Sequence, residues 1–156
     1  MKYFLDTEFN GFNGELISLA MVSESGLREL YIATDCWKPC LWVKENVLPI
    51  ISLADATPFF INQDRFGQRI ASFLYDDPMP VIVADWPDDI SYFCKALITA
   101  PGQMVAIPKL QFHLLRIDAY PTDLPGAVQH NALWDARALH HKAMPFALSK
   151  TERDEP

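Results

Sequence analysis

The stretch KYFLDTE, residues 2–8, decides how this chain is read. It has the apolar, aromatic-rich character of a β-strand, yet it carries two carboxylates, Asp6 and Glu8. Side chains at i and i+2 of a strand share one face, so these two acids project together. Like charges that close repel each other, and burial adds a desolvation cost. On an edge strand the pair would be two ordinary surface carboxylates. The flanking Tyr3, Phe4, Leu5 and Phe9 point instead to a central strand. An unpaired buried carboxylate is expensive, so something must offset the charge. A hard divalent cation, which takes carboxylate oxygens as ligands, would do so.

Outward from this strand the pattern continues as one domain. Asn10-Gly11 and Asn13-Gly14 form a turn into a second strand at 15–22. Glu24-Ser25-Gly26 turns into a third strand at 27–33, and the two short connections imply an antiparallel meander. Residues 41–51 read as helical until Pro49 ends the pattern. Residues 62–75 place Phe66, Ile70, Phe73 and Leu74 on one face of an amphipathic helix. A short apolar strand at 80–84 leads to a helix from Pro87 to Ile98. A fifth strand is expected at 111–117 and a final helix at 131–148, with Pro145 as a breaking point. Residues 149–156 lack apolar content and are expected to form a flexible tail after a single domain spanning 1–148. The order β-β-β-α-α-β-α-β-α predicts an α/β fold: a mixed five-stranded sheet with helices on both faces.

Composition narrows the function classes. Of 156 residues, 50% are hydrophobic and 21% charged, the balance of a globular protein rather than a disordered one. No apolar run reaches the roughly 18 residues of a membrane span, and the start does not read as a signal peptide, so a cytoplasmic protein is expected. Cys36, Cys40 and Cys94 lack the spacing of a disulfide framework, and no second pair exists to complete a zinc site. The net charge of −7 argues against coating nucleic acid by bulk electrostatics, but not against a metal-dependent site.

Two further regions could supply acids to such a site. In VIVADWPDDISYF, residues 81–93, Asp85, Asp88 and Asp89 cluster where a strand passes into a helix. Helix capping would explain one or two of them, and three are present. In HNALWDARAL, residues 130–139, Asn131 can cap the helix, His130 stands just before it and Asp135 lies one turn in. Arg137, His140, His141 and Lys142 add positive charge along the same helix, facing either phosphates or solvent.

In combination these motifs resemble the DEDDh 3′–5′ exonucleases, and most of all the small stand-alone bacterial exoribonucleases related to RNase T and oligoribonuclease. Asp6 and Glu8 match the first motif, and His130 with Asp135 matches the third. Asp89, followed by Tyr92 and Phe93, fits the second, with Asp85 as its rival. The resemblance implies an RNase H-like fold and phosphodiester hydrolysis at the 3′ end of single-stranded nucleic acid or a 3′ overhang, RNA favoured over DNA. It implies two Mg²⁺ or Mn²⁺ ions held by Asp6, Glu8, Asp89 and Asp135, His130 as general base, and a homodimer. Phe9 and Phe12, just after the first motif, would then stack on the terminal base. The alternative is a degenerate domain that binds nucleic acid or a protein without cleaving. A small acidic chain that grips few phosphates should bind single strands with a shallow salt dependence. Titrating oligonucleotide binding against salt tests this, and a slope typical of about ten neutralised phosphates would reveal an extended basic surface instead.

Overall fold

The computed structural model describes residues 1–119 and 124–151. Its centre is a six-stranded mixed sheet in the order β4-β3-β2-β1-β5-β8. The strands are β1 (Lys2–Phe9), β2 (Leu16–Ser23), β3 (Glu29–Ala33), β4 (Phe59–Phe60), β5 (Val81–Ala84) and β8 (Gln111–Leu114), while β6 (Ile98–Ala100) and β7 (Gln103–Met104) form a separate hairpin. The helices are α1 (Leu41–Asn46), α2 (Phe66–Leu74), α3 (Pro87–Leu97) and α4 (Ala132–Thr151). β1, β2 and β3 form the expected antiparallel meander; β5 joins β1 in parallel, β8 joins β5 in parallel, and β4 joins β3 in parallel.

Both faces of the sheet are covered. Tyr3 and Leu5 of β1 point toward α2 and α3, where Phe66, Ile70, Leu74 and Phe93 are fully buried. Phe4 and Val83 point the other way, against Leu139 and Ala143 of α4. Ala132 and Ala136 let that helix approach β2 closely at Ala20 and Val22. All eight residues of β2 are buried, so its sequence is mostly apolar, with only the small Ser18 and Ser23 as polar residues, rather than alternating.

Several boundaries differ from expectation for local reasons. The sheet has six strands, not five, because the exposed pair Phe59–Phe60 adds a two-residue edge against Ile32 and Ala33, too short for any periodicity. The helix expected over 41–51 stops at Asn46, whose side-chain amide donates to the carbonyl of Trp42 (2.8 Å), and a 3-10 turn carrying Pro49 follows at Leu48–Ile50. Another 3-10 turn, Gln63–Arg65, precedes α2. The strand expected over 111–117 ends at Leu114, since its partner β5 ends at Ala84, opposite Leu114. α4 passes through position 145 without a break and takes in 149–151 of the expected tail. The rest of that tail, 152–156, lies outside the described residues.

The register of β1 positions everything that follows. Its pairing with β5 ends at Phe4 opposite Val83, while β1 itself continues to Phe9. Beyond residue 4 that edge of β1 is open. The first turn of α3 fills the opening, and the side chain of Asp89 substitutes for the missing strand: Oδ1 accepts the Thr7 N–H (3.0 Å) and the Thr7 hydroxyl (2.6 Å). α3 is held in turn by close packing on α2. A Cβ added at Gly67 would lie 2.4 Å from the carbonyl oxygen of Ala96. Gly67→Ala should therefore destabilise the protein by about 1–3 kcal/mol from overpacking, more than the gain of about 1 kcal/mol in helix propensity. Thermal denaturation checks this, and a melting temperature equal to or above wild type would mean the two helices part without cost.

Candidate metal centre

Asp6 and Glu8 lie on the α4 face of β1, near the open end of the sheet. The structure brings two groups of three acids together around them. One oxygen each from Asp6, Asp85 and Asp89 fall within 4.8 Å of one another, and so do one oxygen each from Asp6, Glu8 and Asp135. Asp6 belongs to both groups. The rivalry between Asp85 and Asp89 thus has a different outcome from the choice posed by the sequence: both converge on Asp6. Asp89 is the buried one, tied to Thr7, whereas Asp85 is half-buried at the strand end. Asp88, in the same first turn, is half-buried and lines the same cavity but belongs to neither group; it accepts the indole N–H of Trp86 (3.1 Å).

α4 presents Asp135 through its own capping. Asn131, fully buried, accepts the Trp134 N–H on Oδ1 (3.2 Å), and its amide donates to the carbonyl of Ile50 (2.8 Å). Asp135 Oδ2 reaches back to the N–H of His130 (2.8 Å). His130 has a left-handed backbone, φ 68°, unfavourable for a residue with a Cβ. The bond to Asp135 helps hold it there. Its ring meets the edge of Trp42 with centroids 4.9 Å apart.

Electrostatics set this cluster apart from a surface patch. Burial, followed by the charges of Asp89 and Asp135, holds the Asp6 carboxyl well above the usual carboxylate range. Burial, then Asp135 and Asp89, does the same to Glu8. Asp89 and Asp135 are each pushed up to about 7, chiefly by burial, although hydrogen bonds from Thr7 and from the His130 backbone pull the other way. Burial lowers His130, so its imidazole is neutral near pH 7. Oδ2 of Asp6 and Oδ2 of Asp89 are buried without a hydrogen-bond partner. Unpaired carboxylate oxygens facing other carboxylates are what a divalent cation would satisfy, and an all-oxygen donor set suits Mg²⁺ or Mn²⁺. The residues present fit such ions.

The acids line a cavity of about 540 Å³ with aromatic walls. Phe12 stands at its rim on the Gly11–Gly14 turn and is 91% exposed. Trp42 and Trp86 line it too, each about half exposed. Phe9 lines the cavity too, stacks on Tyr92 (4.5 Å between centroids) and packs against the core. The positive residues of α4 lie elsewhere. Arg137 pairs with Glu29 (2.7 Å), His140 contacts the carbonyl of Glu24 (3.0 Å), and none of Arg137, His140, His141 and Lys142 lines the cavity. Sequence reasoning missed Trp42, Trp86 and Arg116. Trp86 had a usable signal, standing between Asp85 and the helix-starting Pro87. Trp42 and Arg116 had none, because tertiary packing alone brings them here.

No protein-family model matches this chain, and a comparison with curated proteins gives no match. Among the described residues no helix is long and apolar enough to cross a membrane.

The raised carboxyls make metal-free stability depend on pH. Between an ordinary value of 3.8 and about 7, the folded protein keeps protons on Asp89 and Asp135 that the unfolded chain has lost. Their contribution is fully present below that window and is lost as pH rises through about 7. In EDTA the melting temperature should be higher near pH 5.5 than near pH 8, and added Mg²⁺ or Mn²⁺ should raise it more at the higher pH. Calorimetry across this range checks the sign; a metal-free protein that becomes steadily more stable toward pH 8 would contradict it.

Proposed function

We propose that this chain is a divalent-metal-dependent 3′–5′ exonuclease of RNase H-like fold, acting on single-stranded nucleic acid or 3′ overhangs, with RNA favoured. The observation that carries the reading is the pair of three-carboxylate groups sharing Asp6, which offers two adjacent cation sites built from four separate segments. Two bound Mg²⁺ or Mn²⁺ ions supply an activated water and stabilise the departing 3′ oxygen.

The chain's own residues do the rest. Asp6, Glu8 and Asp135 hold one side of the site, and Asp6, Asp85 and Asp89 the other. Thr7 fixes the orientation of Asp89 by two hydrogen bonds, leaving its second oxygen for the ion. His130, neutral near pH 7, takes the proton of the attacking water on a ring nitrogen. Trp42 backs its ring, and the Asp135 bond sets its backbone. Phe12 offers an exposed face on which a terminal base of any sequence can stack. A sheet-edge site of this size suits a strand end rather than a long duplex. Preference for RNA would come from contacts to the 2′-hydroxyl, and the homodimer expected from the resemblance belongs to the same proposal.

Incubating 3′- and 5′-labelled RNA and DNA oligomers with Mg²⁺ or EDTA tests the reading. Stepwise loss from the 3′ end, abolished by EDTA, is the expected result; binding without cleavage would leave the degenerate binding domain. His130→Ala should lower turnover by about 10²–10⁴-fold with Mn²⁺ binding retained. Asp89→Asn should abolish cleavage and weaken Mn²⁺ binding together, and Asp85→Asn should do so to a smaller degree, measured by calorimetry beside the assay. A fully active Asp89→Asn would remove the basis of the site.

A further inference from the structure

Arg116 is the only Lys or Arg among the described residues lining the acidic cavity. It follows β8 in the loop that faces Asp85 and Trp86. Its guanidinium lies 4.7 Å over the Trp86 ring, and Nη1 donates to the backbone carbonyl of Asp85. Other arginines of this chain behave differently. Arg28 makes a two-oxygen pair with Asp76, and Arg137 makes one with Glu29. Arg116 makes no ion pair among the described residues, although Asp85 and Asp118 line the same cavity. A guanidinium held by an aromatic plane and a carbonyl, close enough to Asp85 to feel its charge but in no direct ion pair with it, keeps N–H donors organised in advance for an anion from outside.

We propose that Arg116 anchors a backbone phosphate of the entering strand, the one next to the phosphate attacked, with Trp86 as the plane that holds the guanidinium in place. The proposal rests on the nuclease reading above and adds a subsite to it. The location follows from Asp85. Its carbonyl holds Arg116, while its carboxylate belongs to the group shared with Asp6, so the anchor lies one residue's breadth from the acids. The ligand class follows from chemistry. A planar fork of N–H donors matches the oxygens of a phosphodiester, and a strand threaded into an acid-lined cavity needs a fixed cation beyond the metals. Arg116 is then a specificity-determining residue: it favours substrates with at least two phosphates over single-phosphate esters.

The test compares a single-stranded oligonucleotide with the p-nitrophenyl ester of thymidine 5′-monophosphate, which carries only the attacked phosphate. Arg116→Gln removes the charge but keeps a donor for the Asp85 carbonyl; Arg116→Lys keeps the charge. Oligonucleotide binding is followed by fluorescence polarisation in Ca²⁺ across a salt series, and KM is measured for both substrates in Mn²⁺. Arg116→Gln should flatten the binding slope by about 0.7, the value for one phosphate of a single strand, while Arg116→Lys keeps it. Arg116→Gln should also raise KM for the oligonucleotide about ten- to a hundredfold more than for the ester, the worth of one charge-assisted contact. Trp86→Leu should raise the oligonucleotide KM with the slope preserved. An unchanged slope in Arg116→Gln, or equal KM effects on the two substrates, overturns the proposal and leaves Arg116 a loop brace. If the wild-type chain cleaves neither substrate, the nuclease reading falls, whereas the binding slope still decides the role of Arg116.

Discussion

The hydrogen bonds from Thr7 to Asp89 take the place of a strand that ends too soon. β5 leaves β1 after residue 4, and an open N–H at Thr7 would otherwise stand buried and unmet. By answering it with a carboxylate rather than a carbonyl, the fold places an acid in the plane of its central sheet. That choice is costly in isolation, because Asp6 and Glu8 already stand on the same strand. Retained protons relieve that repulsion at low pH, and a divalent cation shared by the acids would relieve it at higher pH. The same two bonds join the α2–α3 layer to β1, so the packing of Gly67 against Ala96 and the placement of Asp89 are one mechanical problem.

The opposite wall of the site is solved by helix capping. Asn131 caps α4 and is tied to the carbonyl of Ile50, and Asp135 ties back the N–H of His130. Capping and function are often treated as competing explanations for polar residues at a helix start. Here they coincide: the bond that caps a donor also aims a ligand and fixes the left-handed backbone that presents an imidazole. Removing Asp135 would therefore disturb His130 as well as the acid cluster, so a loss of activity on substituting it alone cannot be apportioned between the two.

The layers were legible in the sequence where periodicity was strong. The β1–β2–β3 meander, the face of α2 and the acids on β1 all follow from spacing and turn residues. The resemblance to a nuclease family was carried by side chains that the fold does bring together: Asp6, Glu8 and Asp135 form one group and Asp89 joins Asp6 in another. What stayed illegible depends on distance in space rather than spacing in the chain. Phe59 and Phe60 pair with β3 through backbone alone, and no pattern marks two residues. Phe9 and Phe12 both stand just after the first motif, yet the structure stacks the first, half-buried, on Tyr92 and extends the second into the open. The basic side chains of α4 read equally as phosphate contacts or a solvated face; Arg137 is matched by Glu29 of β3, while the cavity's Arg116 comes from a loop with no motif.

The aromatic rim shows how the width of such a site is held. Trp42 sits on a helix of six residues, too short to hold itself. It is fastened at both ends by asparagines. Asn10, beside the Phe12 turn, accepts the N–H of Cys40 (2.8 Å) and donates to the carbonyl of Lys38 (2.9 Å), just before α1. Asn131, beside His130, holds the carbonyl of Ile50 just after it. Each strut starts one or two residues from a group that faces the cavity, so the spacing between Phe12, Trp42 and His130 is set by hydrogen bonds of known length rather than by loose loop contacts. The acids are collected by the sheet together with the first turns of α3 and α4, and these two amides brace the opening above them.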